Sequence, residues 1–291
     1  MSAAYLVAGS AVVAGAVALD RMATRVVRPV PRPPVRSVPD LGLEHEDVRI
    51  PSGRHDLGAW VLRGSGSSCA GPLVVLAHGW GASYGTMLRL GEPLVRAGHD
   101  VLLFDVRGHG RNEPAPFVTV RHFRDDVTAV ARWAAKRFPD RPLVLVGHSM
   151  GGAAGVLAVA EGAPIHGLAL VAAPADVVRV TAEFLVGRGM PGNLMVHLFR
   201  PFWWRRVGGS FLPLTPSRRI GEVRVPLLLI QPENDQRVHR RHVERLAAAA
   251  GIGYHLVAGR EHTDVLEAPE TISLVRALLE QVTLERAAGT A

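Results

Sequence analysis

The chain is nearly without cysteine and nearly without lysine. Cys69 is the only cysteine in 291 residues, which excludes an intrachain disulfide and any zinc site built on thiolates. That scarcity fits a reducing compartment. Lys136 is the only lysine, so the net charge of +7 is carried almost wholly by arginine. The arginines are scattered, apart from the run between Arg21 and Arg36 and short pairs such as Arg205-Arg206 and Arg240-Arg241. Aromatic residues make up only 5% of the chain and do not interleave with a basic stripe, so nucleic-acid binding is not expected. Histidine is plentiful, at 13 residues, but the helical pair His239 and His242 lacks carboxylate or thiol company in register, and no metal site is expected. With 48% hydrophobic residues, wholesale disorder is excluded and a large core is within reach.

The one long uncharged run is residues 3–19, AAYLVAGSAVVAGAVAL. As a helix it would extend roughly 25 Å, short but workable against a bilayer core of about 30 Å. No positive charge precedes it, whereas Arg21, Arg25, Arg28, Arg32 and Arg36 follow. Residues 1–27 therefore read as a retained membrane anchor with a basic flank, which the positive-inside rule keeps with the catalytic domain on the cytoplasmic side. A signal cleaved after Ala18, with export, and a soluble helix are the alternatives. Residues 28–40, RPVPRPPVRSVPD, read as a proline-rich, semi-rigid spacer. The folded domain is then expected over residues 41–286, with a short tail at 287–291.

Beyond Leu41 the periodicity alternates. LEHEDVRIP and LGAWVLRG read as an antiparallel pair around the Pro-Ser-Gly turn at 51–53. Short apolar runs at 72–79, 100–106, 142–148, 165–174 and 225–232 suit strands buried on both faces of a parallel sheet, with a last strand at 253–259. Helical patterns at 84–97, 121–138, 150–161, 239–250 and 264–286 separate them. Such alternation implies an α/β fold, a mostly parallel, doubly wound sheet with helices on both faces. Residues 175–222 break the rhythm with Phe184, Phe202, Trp203 and Trp204 among glycines, prolines and arginines, and are expected to form a small, partly helical cap.

Within that frame, Gly147-His148-Ser149-Met150-Gly151 is a G-x-S-x-G sequence standing after an apolar strand and before an alanine-rich helix. A sharp strand-to-helix turn presents the serine at the carboxyl edge of the sheet, and the helix N-terminus favours a developing oxyanion. A serine hydroxyl needs a base, and His262, directly after the last strand, is better placed than His255, His239 or His242. The imidazole needs a carboxylate, and Asp235 lies just past a buried strand, with Glu233 and Asp176 as rivals. The amides of Met150 and Trp80, the latter in the His78-Gly79-Trp80-Gly81 turn, would form an oxyanion hole. His148, Phe184, Trp203 and Trp204 are expected to touch substrate.

The order Ser149, Asp235, His262, the HGWG turn, the DVRGHGRN loop at 105–112 and the cap position together resemble the α/β-hydrolase fold family, its small serine esterases and thioesterases in particular. The resemblance covers roughly residues 41–286 and implies an eight-stranded sheet whose antiparallel edge is the opening pair. It also implies that Asp105, Arg107 and His109 shape their loop rather than react. The expected chemistry is hydrolysis of an ester or thioester, with a lipophilic acyl substrate and no cofactor or metal. Acyl transfer, amide or C–C cleavage with the same triad, and a non-catalytic binding protein, are the alternatives.

Overall fold

The computed structural model describes residues 3–31, 33, 34, 36–64 and 71–289, with side chains from Ser10 to Ala288; Cys69 lies outside the described residues. After an N-terminal helix α1 (Ala3–Val26), a hairpin forms from β1 (His45–Ser52) and β2 (His55–Leu62), turning at Gly53 with φ 61°. The chain continues as β3 (Leu73–Ala77), α2 (Tyr84–Arg96), β4 (Val101–Phe104), α3 (Val120–Arg137), β5 (Leu143–His148), α4 (Met150–Ala160) and β6 (Gly167–Val171). Then follow α5 (Val177–Val186), α6 (Gly192–Arg206) and the single turn α7 (Pro216–Arg219). The chain closes with β7 (Leu227–Pro232), α8 (Arg241–Ala250), β8 (His255–Val257) and α9 (Pro269–Gly289).

The strands form one open sheet of eight in the order β1-β2-β4-β3-β5-β6-β7-β8. The β1–β2 and β2–β4 pairings are antiparallel and all others parallel, so the opening hairpin is the antiparallel edge. Strand alternation divides the core into two layers. Leu73, Val75 and Ala77 of β3 join Leu143 and Leu145 of β5 on the face covered by α3, α4 and α8. Val74, Leu76, Val144 and Val146 face the side covered by α2 and α9. Covering both faces explains why these strands read as unbroken apolar runs. Each fully buried leucine or valine contributes about 1.5–3 kcal/mol of apolar transfer, and among the described residues both layers are made largely of such side chains.

Two elements depart from the periodicity. The last strand shortens to three residues, His255–Val257. The final helix starts late: Asp264–Glu267 is a 3₁₀ turn, and Ala268 is extended at ψ 131° because Pro269 follows it.

The N-terminal segment departs further. Among the described residues no helix is long and apolar enough to cross a membrane, so the membrane partner and membrane-anchored location expected of residues 1–27 find no support. The end of α1 is docked instead. Leu19, Ala23 and Val26, spaced to share one helical face, pack against Ala182 and Leu185 of α5 and Phe199 and Trp203 of α6. The Trp203 indole N–H donates to the Ala23 carbonyl at 2.9 Å, and Arg206 pairs with Asp20 at 2.9 Å and also donates to the Thr24 hydroxyl. The proline-rich stretch that follows does not stand off as a spacer. Val118 N–H donates to the Val27 carbonyl at 2.7 Å, Arg36 pairs with Glu92 at 2.8 Å, and Val38 is buried.

Candidate active site

The serine sits on a backbone that only close packing can hold. Ser149 has φ 52° and ψ −119°, a positive φ in a residue with a side chain, which costs on the order of 1–3 kcal/mol unless its surroundings enforce it. The flanking glycines supply the enforcement. A Cβ on Gly147 would stand 2.5 Å from Gly152, and one on Gly151 would stand 2.3 Å from the Ala77 carbonyl oxygen. Helix α4 can therefore start directly against the ends of β3 and β5. Serine is a favoured N-cap, yet the Ser149 side chain makes no capping hydrogen bond, which leaves the hydroxyl available for chemistry.

Asp235 and His262 meet across 27 residues of chain. The His262 Nδ1–H donates to Asp235 Oδ2 at 2.8 Å, while Asp235 Oδ1 accepts the amides of Arg237 at 2.8 Å and Val238 at 2.9 Å. Burial alone would raise the Asp235 carboxyl, but the His262 hydrogen bond and these amides outweigh it and hold the group below the usual carboxylate range. With Nδ1 carrying the proton, Nε2 keeps its lone pair, the tautomer a base requires. His262 and Ser149 line the same cavity. The alternative acids are engaged elsewhere: Asp176 caps α5 by accepting from Val178 and Arg179, and Glu233 accepts from Gly259. Of the alternative bases, His242 lies in a buried pair with Glu183, and His255 is exposed on β8.

Trp80 and Met150 also line the cavity. Met150 is the first residue of α4, where a backbone N–H has no partner within the helix. The loop carrying Trp80 is held from below by His78. Val106 N–H donates to His78 Nε2 at 3.0 Å, so the proton is on Nδ1 and donates to the Gly79 carbonyl at 2.8 Å. Burial, reinforced by His109, lowers the His78 pKa to about 3, so it is a neutral bracket. The Trp80 ring is packed edge-on against His109 and face-on against Phe123. Asp105, Arg107 and His109 serve the adjoining loop: Asp105 accepts from Tyr84 and Arg111, and Arg107 pairs with the buried Asp126.

The cavity holds about 190 Å³ and is mostly apolar, its walls drawn from the cap (Val177, Phe184, Trp203, Phe211), α3 (Val120) and the chain after α1 (Val27). Two expected substrate contacts are not brought to it. His148 is buried beneath the site, where its Nε2–H donates to the carbonyl of His262 at 2.7 Å and its pKa is lowered to about 3, chiefly by burial. Trp204 is 55% exposed, because one residue on from Trp203, about 100° round the helix, it leaves the packed face of α6. The brackets formed by His148 and His78 escape sequence reasoning, since each acts on a backbone carbonyl. So does the wall at Val26 and Val27, since its partner helix α6 lies some 180 residues downstream. The histidine of the HGWG turn was the one visible signal.

Comparisons with known proteins bear on the fold. Residues 69–198 match the family described as Hydrolase_4 (serine aminopeptidase, S33). The chain is 35% identical over 96 residues to a monoglyceride lipase of Rattus norvegicus, covering 32% of this chain and 31% of that one. It is 40% identical over 82 residues to a pimeloyl-[acyl-carrier protein] methyl ester esterase of Chromobacterium violaceum, covering 28% of this chain and 29% of that one. The matched stretches thus span about a third of these curated relatives. Among solved structures, the esterase Pf2001 of Pyrococcus furiosus superposes with a TM-score of 0.67 at 21% identity, covering 87% of this chain and 98% of that one. A proline iminopeptidase of Mycobacterium smegmatis superposes at 0.63 with 18% identity, covering 83% of this chain and all of the other. Strand order, the profile match over residues 69–198 and the structural likeness converge on one architecture, and the chain has the α/β-hydrolase fold.

Proposed function

We propose that the protein is a serine hydrolase that cleaves a carboxylic ester or thioester of a lipophilic acyl group through an acyl-serine intermediate. One observation carries the reading: Ser149, on its strained turn, opens into an apolar cavity shared with His262, whose imidazole is held by Asp235. In this mechanism the Ser149 hydroxyl attacks the substrate carbonyl as His262 Nε2 takes its proton. Asp235 stabilises the imidazolium that results. The amides of Trp80 and Met150 donate to the oxyanion, each worth about 3 kcal/mol in comparable sites. His262 then gives its proton to the leaving group, and the ester bond breaks. A water molecule, deprotonated by His262, attacks the acyl-serine; the acid leaves and Ser149 regains its proton. The relatives named as an ester esterase and a lipase support ester chemistry. The apolar lining from Val177 to Phe211 supports a lipophilic acyl group.

A fluorophosphonate probe tests the assignment. The native protein should be labelled and Ser149→Ala should not, with ester hydrolysis falling on the order of 10⁴- to 10⁶-fold. Labelling that persists in Ser149→Ala, or a native protein that is never labelled, would overturn it. Across p-nitrophenyl esters, activity should rise from acetyl to medium chains.

A further inference from the structure

The cap is not the only roof over this cavity. Val26 and Val27, from the end of α1 and the residue after it, line it together with Trp203 and Ser149. These two valines lie far outside the family match over residues 69–198. They are also fixed in place from three directions. The Trp203 indole holds the Ala23 carbonyl, and Arg206 holds both Asp20 and Thr24, which ties α1 to α6. On the far side the Val27 carbonyl accepts the amide of Val118, itself a cavity residue, at 2.7 Å. Leu19 and Ala23 seat the same helix against the apolar surface of α5 and α6. A wall pinned by a buried indole, an ion pair and a backbone hydrogen bond keeps its shape when an acyl chain presses on it. It therefore sets how much chain the cavity accepts.

We infer that Val26 and Val27 are specificity-determining residues, and that α1 is a structural part of the substrate cavity which limits acyl-chain length. This rests on the hydrolase reading above and extends it: the cap supplies one side of the acyl pocket and the N-terminal segment the other. Trp203 has two roles in this arrangement. Its ring faces the cavity, while its N–H sets the position of the opposite wall. Arg206, at the end of the same helix, is a positioning residue that acts through Asp20 and Thr24.

The test uses the full chain. Val26→Phe and Val27→Phe fill the cavity, Val27→Ala enlarges it, and Trp203→Phe keeps the ring while removing the indole donor. Thermal melting checks that each is folded. The readout is the ratio of kcat/KM for dodecanoyl over butanoyl p-nitrophenyl esters. Since a single methylene in an apolar pocket changes discrimination by about tenfold or more, each Phe variant should lower the ratio at least about tenfold. Val27→Ala should shift the optimum to longer chains, and Trp203→Phe should broaden it. Unchanged ratios in folded Val26→Phe, Val27→Phe and Val27→Ala would overturn the inference. Binding of cis-parinaric acid, followed by fluorescence in a Ser149→Ala background, reports the wall without catalysis. Weaker binding on adding Val27→Phe supports the wall even where fluorophosphonate labelling has refuted the nucleophile. Equal binding refutes the wall even where the nucleophile stands.

Discussion

His148 and Ser149 are neighbours in sequence with opposite duties. The serine faces the cavity; the histidine points below it and grips the carbonyl of His262 from beneath. Its Nδ1 is buried without a partner among the described residues, so the side chain is held mainly by that one hydrogen bond and by ring contact with His262 at 4.7 Å between centroids. We therefore expect His148 to act as a positioning residue. Replacing it with Phe should lower kcat about 10- to 100-fold with little change in KM, since a misplaced base loses rate rather than ground-state binding. His148→Gln, which retains a donor, should recover much of that loss, as steady-state kinetics will show. Asp235→Asn removes the group that fixes the tautomer and should cost about 10⁴-fold in kcat at unchanged fold. The places of Ser149, Asp235 and His262 could be read because each follows a strand within about five residues, at the edge where a parallel sheet gathers its loops. The role of His148 could not. It depends on which way a strand-end side chain points, and the G-x-S-x-G pattern leaves that position unspecified.

At the scale of elements, the cap is attached through a small polar hub. Glu183 on α5 accepts from Arg179 on its own helix and from Arg241 and His242 on α8. His242 closes the link by accepting the Ala175 amide at its Nδ1, 3.1 Å away. Burial raises the Glu183 carboxyl, but the hydrogen bonds from His242 and Arg241 prevail and hold it below its usual range. Glu183→Gln weakens every one of these bonds and leaves His242 buried beside a neutral amide. That should destabilise the protein by about 1–3 kcal/mol and speed amide exchange in α5 ahead of the sheet, measurable by hydrogen exchange with mass spectrometry. The position of the cap could be read from the broken alternation at 175–222, but its phase could not. Adjacent tryptophans in an unplaced helix look alike, and only the packed structure, with Trp203 against Phe199 and α1, separates it from the exposed Trp204. The docking of the end of α1 was out of reach for a related reason. Leu19, Ala23 and Val26 follow or close the uncharged run, and the groove that receives them is built by residues far along the chain.

For the molecule as a whole, desolvated histidines weigh on the response to acid. His78 and His148 have pKa values lowered to about 3 and His122 to about 4, all chiefly by burial. The unfolded chain binds protons at these groups from about pH 6.5 downward, while the folded chain does not, so stability falls as the pH drops. Asp105, raised to about 6 by burial, takes its proton in the folded state first and opposes the fall between about pH 6 and 4. Near pH 5 these four groups leave a net excess of about two protons on the unfolded chain, so stability falls by about 2–3 kcal/mol per pH unit. Urea denaturation at pH 7, 6 and 5 should show this slope, and His122→Gln should reduce it by about half. A slope near zero would mean that these rings are hydrated in the folded protein.

The Pro-rich stretch before Leu41 invites a clean cut, and a shortened fragment beginning there would keep the whole sheet, the cap and all three polar residues of the centre. It would also lack one side of its receptacle. Trp203 would lose the carbonyl it holds and Arg206 its aspartate. Profiling such a fragment against a substrate library would describe a wider, wetter cleft than the intact chain possesses, and its preferences would belong to the fragment alone.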